Sequence, residues 1–193
     1  MKHDAKRSLV VSSEEERLIL VDSNDREIGT SSKSECHDGA GILHRAFSLF
    51  VFNEAGELLI HQRHPDKRLW PGFWSNSCCS HPRAGEAIET AIHRRLEQEL
   101  GLDATLEYVY KFEYTAPFGD VGTEHELCWV YVGNTTGEPH VNTTEVANWR
   151  WIAPHDLDAA LAETPHRFTP WFKLEWQALR GLHRKRLESI VPA

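Results

Sequence analysis

A chain of 193 residues, 40% hydrophobic and 26% charged, holds enough apolar material for one sizeable core and is too short for two ordinary domains joined by a linker. Its net charge of −8 disfavours a nucleic-acid backbone as partner, no stretch approaches the roughly 20 apolar residues of a membrane span, and Met1 to Ser13 lacks the apolar centre of a signal peptide. A cytoplasmic protein with reduced thiols is expected, because Cys36, Cys78, Cys79 and Cys128 follow no disulfide-scaffold spacing and a bridge between adjacent Cys78 and Cys79 would be strained.

Residues 1–16 are polar and charged and read as a flexible arm, with one domain expected over 17–190. Arg17 to Val21 and His44 to Phe52 are apolar and aromatic, as strands require. Asn53-Glu54-Ala55-Gly56 then forms a turn into Glu57 to Arg63, which makes a hairpin. From Glu86 the period changes: Ile88, Ile92, Leu96 and Leu100 recur every four residues and Gly101 supplies the stop, so one amphipathic helix is predicted. Two long strands follow, about Thr105 to Thr115 and Glu124 to Val132, then a short strand over Trp149 to Ile152 and a short helix over Pro154 to Ala162. Thr169 before Pro170 caps a last helix running to about Leu187. Strands before and after a central helix, with helices at the end, predict an α/β domain with a mixed sheet between helical layers.

The strand period of two puts Glu124, Glu126 and Cys128 on one face and Leu127, Trp129 and Tyr131 on the other. Two carboxylates on a strand with buried character call for a cation, a proton or solvent. If Cys78-Cys79-Ser80-His81 is extended, Cys79 shares a face with His81 and Cys78 points away into packing. His37 and His44 flank the loop Asp38-Gly39-Ala40-Gly41, which can fold both rings toward one point. Three histidines and two carboxylates suit a borderline or hard divalent ion such as Mn²⁺, Mg²⁺ or Zn²⁺ and match no compact zinc-finger spacing.

Together these segments resemble the type I isopentenyl-diphosphate isomerases, from about Arg17 to Arg180. The resemblance is carried by His37 and His44 with six residues between, and by Arg63 and Lys67 before Trp70-Pro71-Gly72. It continues through Asn76-Ser77-Cys78-Cys79-Ser80-His81-Pro82, Glu99-Leu100-Gly101, the pair Glu124 and Glu126, and Pro170-Trp171. It implies a Nudix-like fold in which His37, His44, His81, Glu124 and Glu126 bind a metal and Cys79 and Glu126 form the catalytic pair. Glu99 would hold a Mg²⁺ that meets the substrate diphosphate, and Lys33, Arg63, Lys67 and Ser80 would contact phosphate oxygens. Trp171 would offer its face to a tertiary carbocation, and Tyr114 would stand beside Glu126. Glu126 is the candidate to protonate the alkene of isopentenyl diphosphate and Cys79 to remove a proton from the opposite face, or the two exchange these roles. The expected partner is that small molecule alone, with no nucleic acid and no membrane, and the enzyme a monomer or weak homodimer.

Two other readings compete. The Nudix hydrolase signature, G-x5-E-x7-R-E-U-x-E-E-x-G-U with U apolar, aligns on Gly101. Glu86, Arg94, Leu96, Glu99, Gly101 and Leu102 match, but Ser80 replaces the first glycine, Arg95 the first clustered Glu and Gln98 the next. One carboxylate of the triplet survives, too few for hydrolysis with several ions. Arg94, Arg95 and Glu97 then read as a solvated, ion-paired helix face. A non-catalytic, metal-stabilised binding module would explain the histidines but give Cys79, Glu126 and Trp171 no reason to converge.

Overall fold

A computed structural model, described over residues 8–192, is organised around strand β3 (His44–Phe52). This strand is buried on both faces from Ala46 to Phe52, so its sequence reads as a continuous apolar run. It follows β1 (Arg17–Val21), β2 (Glu27–Ser32) and helix α1 (Lys33–His37), and it precedes β4 (Leu58–Arg63), β5 (Trp74–Ser75) and β6 (Cys78–Ser80). Helix α2 (Ile88–Leu100), the long hairpin of β7 (Thr105–Phe118) and β8 (Gly122–Asn134), β9 (Val146–Ile152) and helices α3 (Pro154–Glu163), α4 (Pro170–Arg180) and α5 (Arg184–Ile190) complete the chain.

Strand β3 pairs parallel to β8 from His44↔Glu126 to Phe52↔Asn134, and antiparallel to β6 through Ser48↔Cys79. The hairpin partner of Glu126 is Tyr114. Alternation then assigns the faces. Phe47, Leu49, Val51, Leu59 and Cys78 pack with the apolar side of α2, while Ala46, Phe50, Ile60, Cys128 and Val130 pack with α3, α4 and α5. This is the expected mixed sheet between helical layers. Helix α2 stops where Gly101 takes φ 61°, a left-handed conformation that favours glycine, and its N–H donates to Glu97 O.

Two expectations need correction. The last helix does not run to Leu187: α4 ends at Arg180, Gly181 turns the chain at φ −104° and ψ −94°, and α5 begins anew at Arg184. Thr169 sits at the cap position without donating or accepting a side-chain cap bond, since its hydroxyl lies 3.1 Å from Ser75 Oγ. Residues 8–16 of the expected arm make contacts with the domain: Leu9 O accepts from Asn142 Nδ2 at 2.9 Å and Val11 O from Arg95 Nη1 at 2.8 Å. The rest of that arm, residues 1–7, lies outside the described residues. No helix among the described residues is long and apolar enough to cross a membrane.

Candidate metal centre and its cavity

Register builds half of the centre. Because β3 and β8 pair in parallel with His44 opposite Glu126, one imidazole and one carboxylate are neighbours, and Glu124 follows on the same face. Helix α1 brings His37. Its start is fixed by a capping box in which Ser32 Oγ accepts from Glu35 N at 3.2 Å and Ser32 N donates to Glu35 Oε2 at 3.1 Å. The loop back to β3 needs Gly41 at φ 73°, where a Cβ would stand 3.0 Å from both His125 Cβ and Thr123 O. His81 comes from the end of β6.

One ligand atom from each of His37, His44, His81, Glu124 and Glu126 lies within 4.8 Å of all the others. His37 Nδ1 and His44 Nδ1 each bond a backbone oxygen at 2.7 Å, Lys33 O and Ile42 O. With Nδ1 as donor, His44 Nε2 turns a lone pair to the centre, and His37 Nε2 does the same once its ring gives up the proton it shares with Glu124. His44 Nε2 and Glu124 Oε2 are buried with no hydrogen-bond partner, although Glu124 Oε2 lies 2.7 Å from His37 Nε2. A partnerless buried His44 Nε2 beside a buried carboxylate pair in one closed cluster fits a bound cation, and an N₃O₂-type donor set fits a divalent one. Burial opposes charge on the His37 ring, yet Glu124 raises it to about 9; at His81 burial wins over Glu126 and lowers the ring to about 4.

A cavity of about 490 Å³ opens beside the centre, and Cys79, Tyr114, Glu126 and Trp171 form part of its wall. Tyr114 donates to Glu126 Oε2 at 2.6 Å. Trp171 is held by its Nε1–H, which donates to Ser75 Oγ at 3.1 Å, and by edge-to-face packing on Trp70 at 5.2 Å. Burial pushes the Cys79 thiol up to about 12 even with Arg63 nearby, whose Nη1 lies 3.9 Å from Sγ. Cys78 is on the α2 side of the sheet, away from this wall.

Lys33, Arg63, Lys67 and Ser80 all reach the cavity. Arg63 donates to Leu69 O at 2.9 Å and Trp70 O at 3.1 Å, with its guanidinium 5.3 Å from the Trp171 ring centre. Lys67 pairs with Glu145, and Lys33 reaches Ser12 Oγ at 2.9 Å and Glu14 at 3.0 Å. Glu99 stands apart from the five-residue cluster and does not line the cavity. Arg95 covers it, with Nε 3.0 Å from its carboxylate.

Arg95 corrects the reading of a solvated helix face. It is 3% exposed, lines the cavity, and lies 3.5 Å from Glu145 as well as against Glu99. A signal was available, because residues 95 and 99 flank the apolar stripe of α2 at i, i+4. Glu145 and the arm residues Val10, Ser12 and Glu14, also on the cavity wall, carried none.

A mixed sheet between helical layers, with a helix following β6 and a carboxylate-rich cavity beside it, defines a Nudix-type protein, and the NUDIX domain family matches residues 42–172. In fold the chain is similar to DR0079 from Deinococcus radiodurans, with a TM-score of 0.63 at 24% identity over 76% of this chain and 89% of that one. A MutT NUDIX hydrolase from Burkholderia pseudomallei gives a TM-score of 0.56 at 20% identity, covering 70% and 96%. Sequence likeness is more specific. "Isopentenyl-diphosphate Delta-isomerase 1" of Photorhabdus laumondii is 43% identical over 89% of this chain and 99% of its own length. The isopentenyl-diphosphate Delta-isomerases of Burkholderia multivorans and Paenarthrobacter aurescens are 45% and 44% identical over 88% and 92% of this chain, and 97% and 98% of theirs. The chain belongs to the isopentenyl-diphosphate Delta-isomerase family.

Proposed function

We propose that this chain converts isopentenyl diphosphate to dimethylallyl diphosphate, with His37, His44, His81, Glu124 and Glu126 as the metal-binding set. The observation that carries the reading is the convergence of Cys79, Glu126 and Trp171 on one cavity beside that set. One proton adds to the terminal alkene carbon, a tertiary cation forms, and one proton leaves the adjacent methylene, so the proton count balances. Glu126 and Cys79 handle the two protons on opposite faces of the substrate, with Tyr114 orienting the Glu126 carboxylate through its 2.6 Å hydrogen bond. His37, His44, His81, Glu124 and Glu126 would hold a divalent ion, Mn²⁺, Mg²⁺ or Zn²⁺, whose positive charge would tune the acidity of Glu126.

Lys33, Arg63, Lys67 and Ser80 take the diphosphate at the cavity mouth, where the Lys67–Glu145 pair would yield to phosphate oxygens. Glu99 remains our candidate for a Mg²⁺ that accompanies the diphosphate, which requires Arg95 to release its carboxylate. The same Arg95 argues against hydrolysis: a guanidinium stands in the hydrolase signature where a metal-binding carboxylate belongs, and it covers the one that remains. With a net charge of −8 the partner is this small anion at a local basic cluster, handled by a cytoplasmic monomer or weak homodimer.

Incubation of purified protein with isopentenyl diphosphate and divalent metal, with the allylic product measured, tests the reading. Phosphate release from nucleoside diphosphate derivatives without allylic product would replace it by the hydrolase. Trp171 gives a finer test. An aromatic face stabilises a desolvated cation by about 2 kcal/mol or more, which is roughly thirtyfold in rate. Trp171→Phe is therefore expected to lower kcat by about threefold and Trp171→Leu by about thirtyfold, with KM little changed because the diphosphate contacts dominate binding. Equal kcat in the two variants at equal melting temperature would leave Trp171 as packing only.

A further inference from the structure

Glu175 is a fully buried carboxyl that the proposed chemistry does not use. It is 0% exposed, forms no ion pair among the described residues, and leaves Oε2 without a partner. Its Oε1 accepts from Cys128 Sγ at 3.5 Å, and the same thiol lies 3.5 Å from Ser48 Oγ. These contacts join α4 to β8 and β3. Glu175 lies four residues after Trp171, so both project from one face of α4, one turn apart. Ser48 in turn is the cross-strand neighbour of Cys79, and Cys128 is two residues from Glu126 on the same strand face.

We propose that Glu175 is a positioning residue, a neutral carboxylic acid that clasps α4 to β3 and β8 and so holds the Trp171 ring against the wall carrying Cys79 and Glu126. The inference rests on the isomerase reading of that cavity. An isolated buried carboxylate is costly, whereas the protonated acid can donate as well as accept and needs no counter-ion. The groups near enough to act on its charge are Ser48 from β3, Cys79 from β6, Glu126 and Cys128 from β8, and Tyr110 from β7. Tyr110 lies 3.5 Å from the Glu175 carbonyl and stacks on His183 at 4.2 Å. None of these groups among the described residues is a cation. Burial raises Glu175 from 4.5 to about 8, against the pull of the neighbouring Ser48 hydroxyl and Cys128 thiol and with a further rise from Glu126. The sign follows: as pH climbs from about 4.5 to about 8 the unfolded chain has released a proton that the folded chain keeps, so stability falls through that window and the loss is complete above it.

Glu175→Gln keeps a polar head of the same shape and cannot ionise; Glu175→Leu removes the clasp. With metal-loaded protein and no substrate, the melting temperature of the wild type is expected to fall more steeply from about pH 6 to about pH 9 than that of Glu175→Gln. In turnover, Glu175→Gln is expected to stay within about twofold of wild type near pH 7. By about pH 9, where roughly one-tenth of Glu175 keeps its proton, it should exceed the wild type by up to about tenfold. Glu175→Leu should lose about tenfold in kcat near pH 7 with KM for isopentenyl diphosphate within about twofold. Parallel melting curves for wild type and Glu175→Gln across that pH range would overturn the neutral acid, and wild-type kcat in a folded Glu175→Leu would overturn the clasp. A wild type with no turnover fails the isomerase reading, while the melting comparison still decides the state of Glu175.

Discussion

Cys79→Ala is expected to reduce isomerase turnover by about 10³-fold, the scale of a positioned proton-transfer group, while Cys78→Ala leaves it within about twofold. The two thiols are adjacent in sequence and opposite in space. β6 pairs with β3 so that Cys79 lies across from Ser48 on the α4 side, where it meets the cavity, and Cys78 lies across from Leu49 in the α2 core. Removing the Cys78 sulfur leaves a small core void at a cost of about 1 kcal/mol, visible as a lower melting temperature and not as lost chemistry. Folding by circular dichroism and kcat together read the contrast. Equal loss of turnover in two folded variants would remove Cys79 from the catalytic pair.

Divalent metal is expected to raise the melting temperature, because the five-residue cluster gathers buried ligand atoms, His44 Nε2 among them without a partner, that a cation satisfies only in the folded chain. At about one hundred times the dissociation constant the gain is about 2.7 kcal/mol, or roughly 5–10 °C for a chain of this size. Mn²⁺, Zn²⁺ and Mg²⁺ added separately to chelator-treated protein rank the ions without any use of activity. His44→Gln keeps most of the side-chain volume and loses the inward Nε2, so the rise should largely disappear in it. No shift in the wild type with any of the three ions would dissolve the metal assignment and the role given to Glu126.

The helix from Ile88 to Leu100 was legible because its apolar stripe has one period and its stop is a glycine in the left-handed conformation. Strands β7 and β8 were legible for a similar reason, as each presents its own alternation, although the structure extends them to Phe118 and back to Gly122 and pairs them as a hairpin. β2 and α1 are not legible from periodicity: Glu27 to Ser32 carries little apolar pattern, and the Ser32…Glu35 capping box is the one local mark of the five-residue α1. The break at Gly181 was also passed over, since the residues on either side of it keep helical composition.

Local rules determine which residue types are available and, strand by strand, which face each takes. They gave this protein its α/β layering, the separation of Cys79 from Cys78, and the three histidines and two carboxylates suited to a divalent ion. The parallel register of β3 on β8 is a long-range pairing chosen by the packing of both sheet faces, and it alone decides that His44 meets Glu126. Arg95 against Glu145, Glu145 on Lys67 and Glu175 against Cys128 were decided in the same way. The charge of a buried group is set by neighbours that arrive from distant segments, so its role exists only once the chain has closed around it.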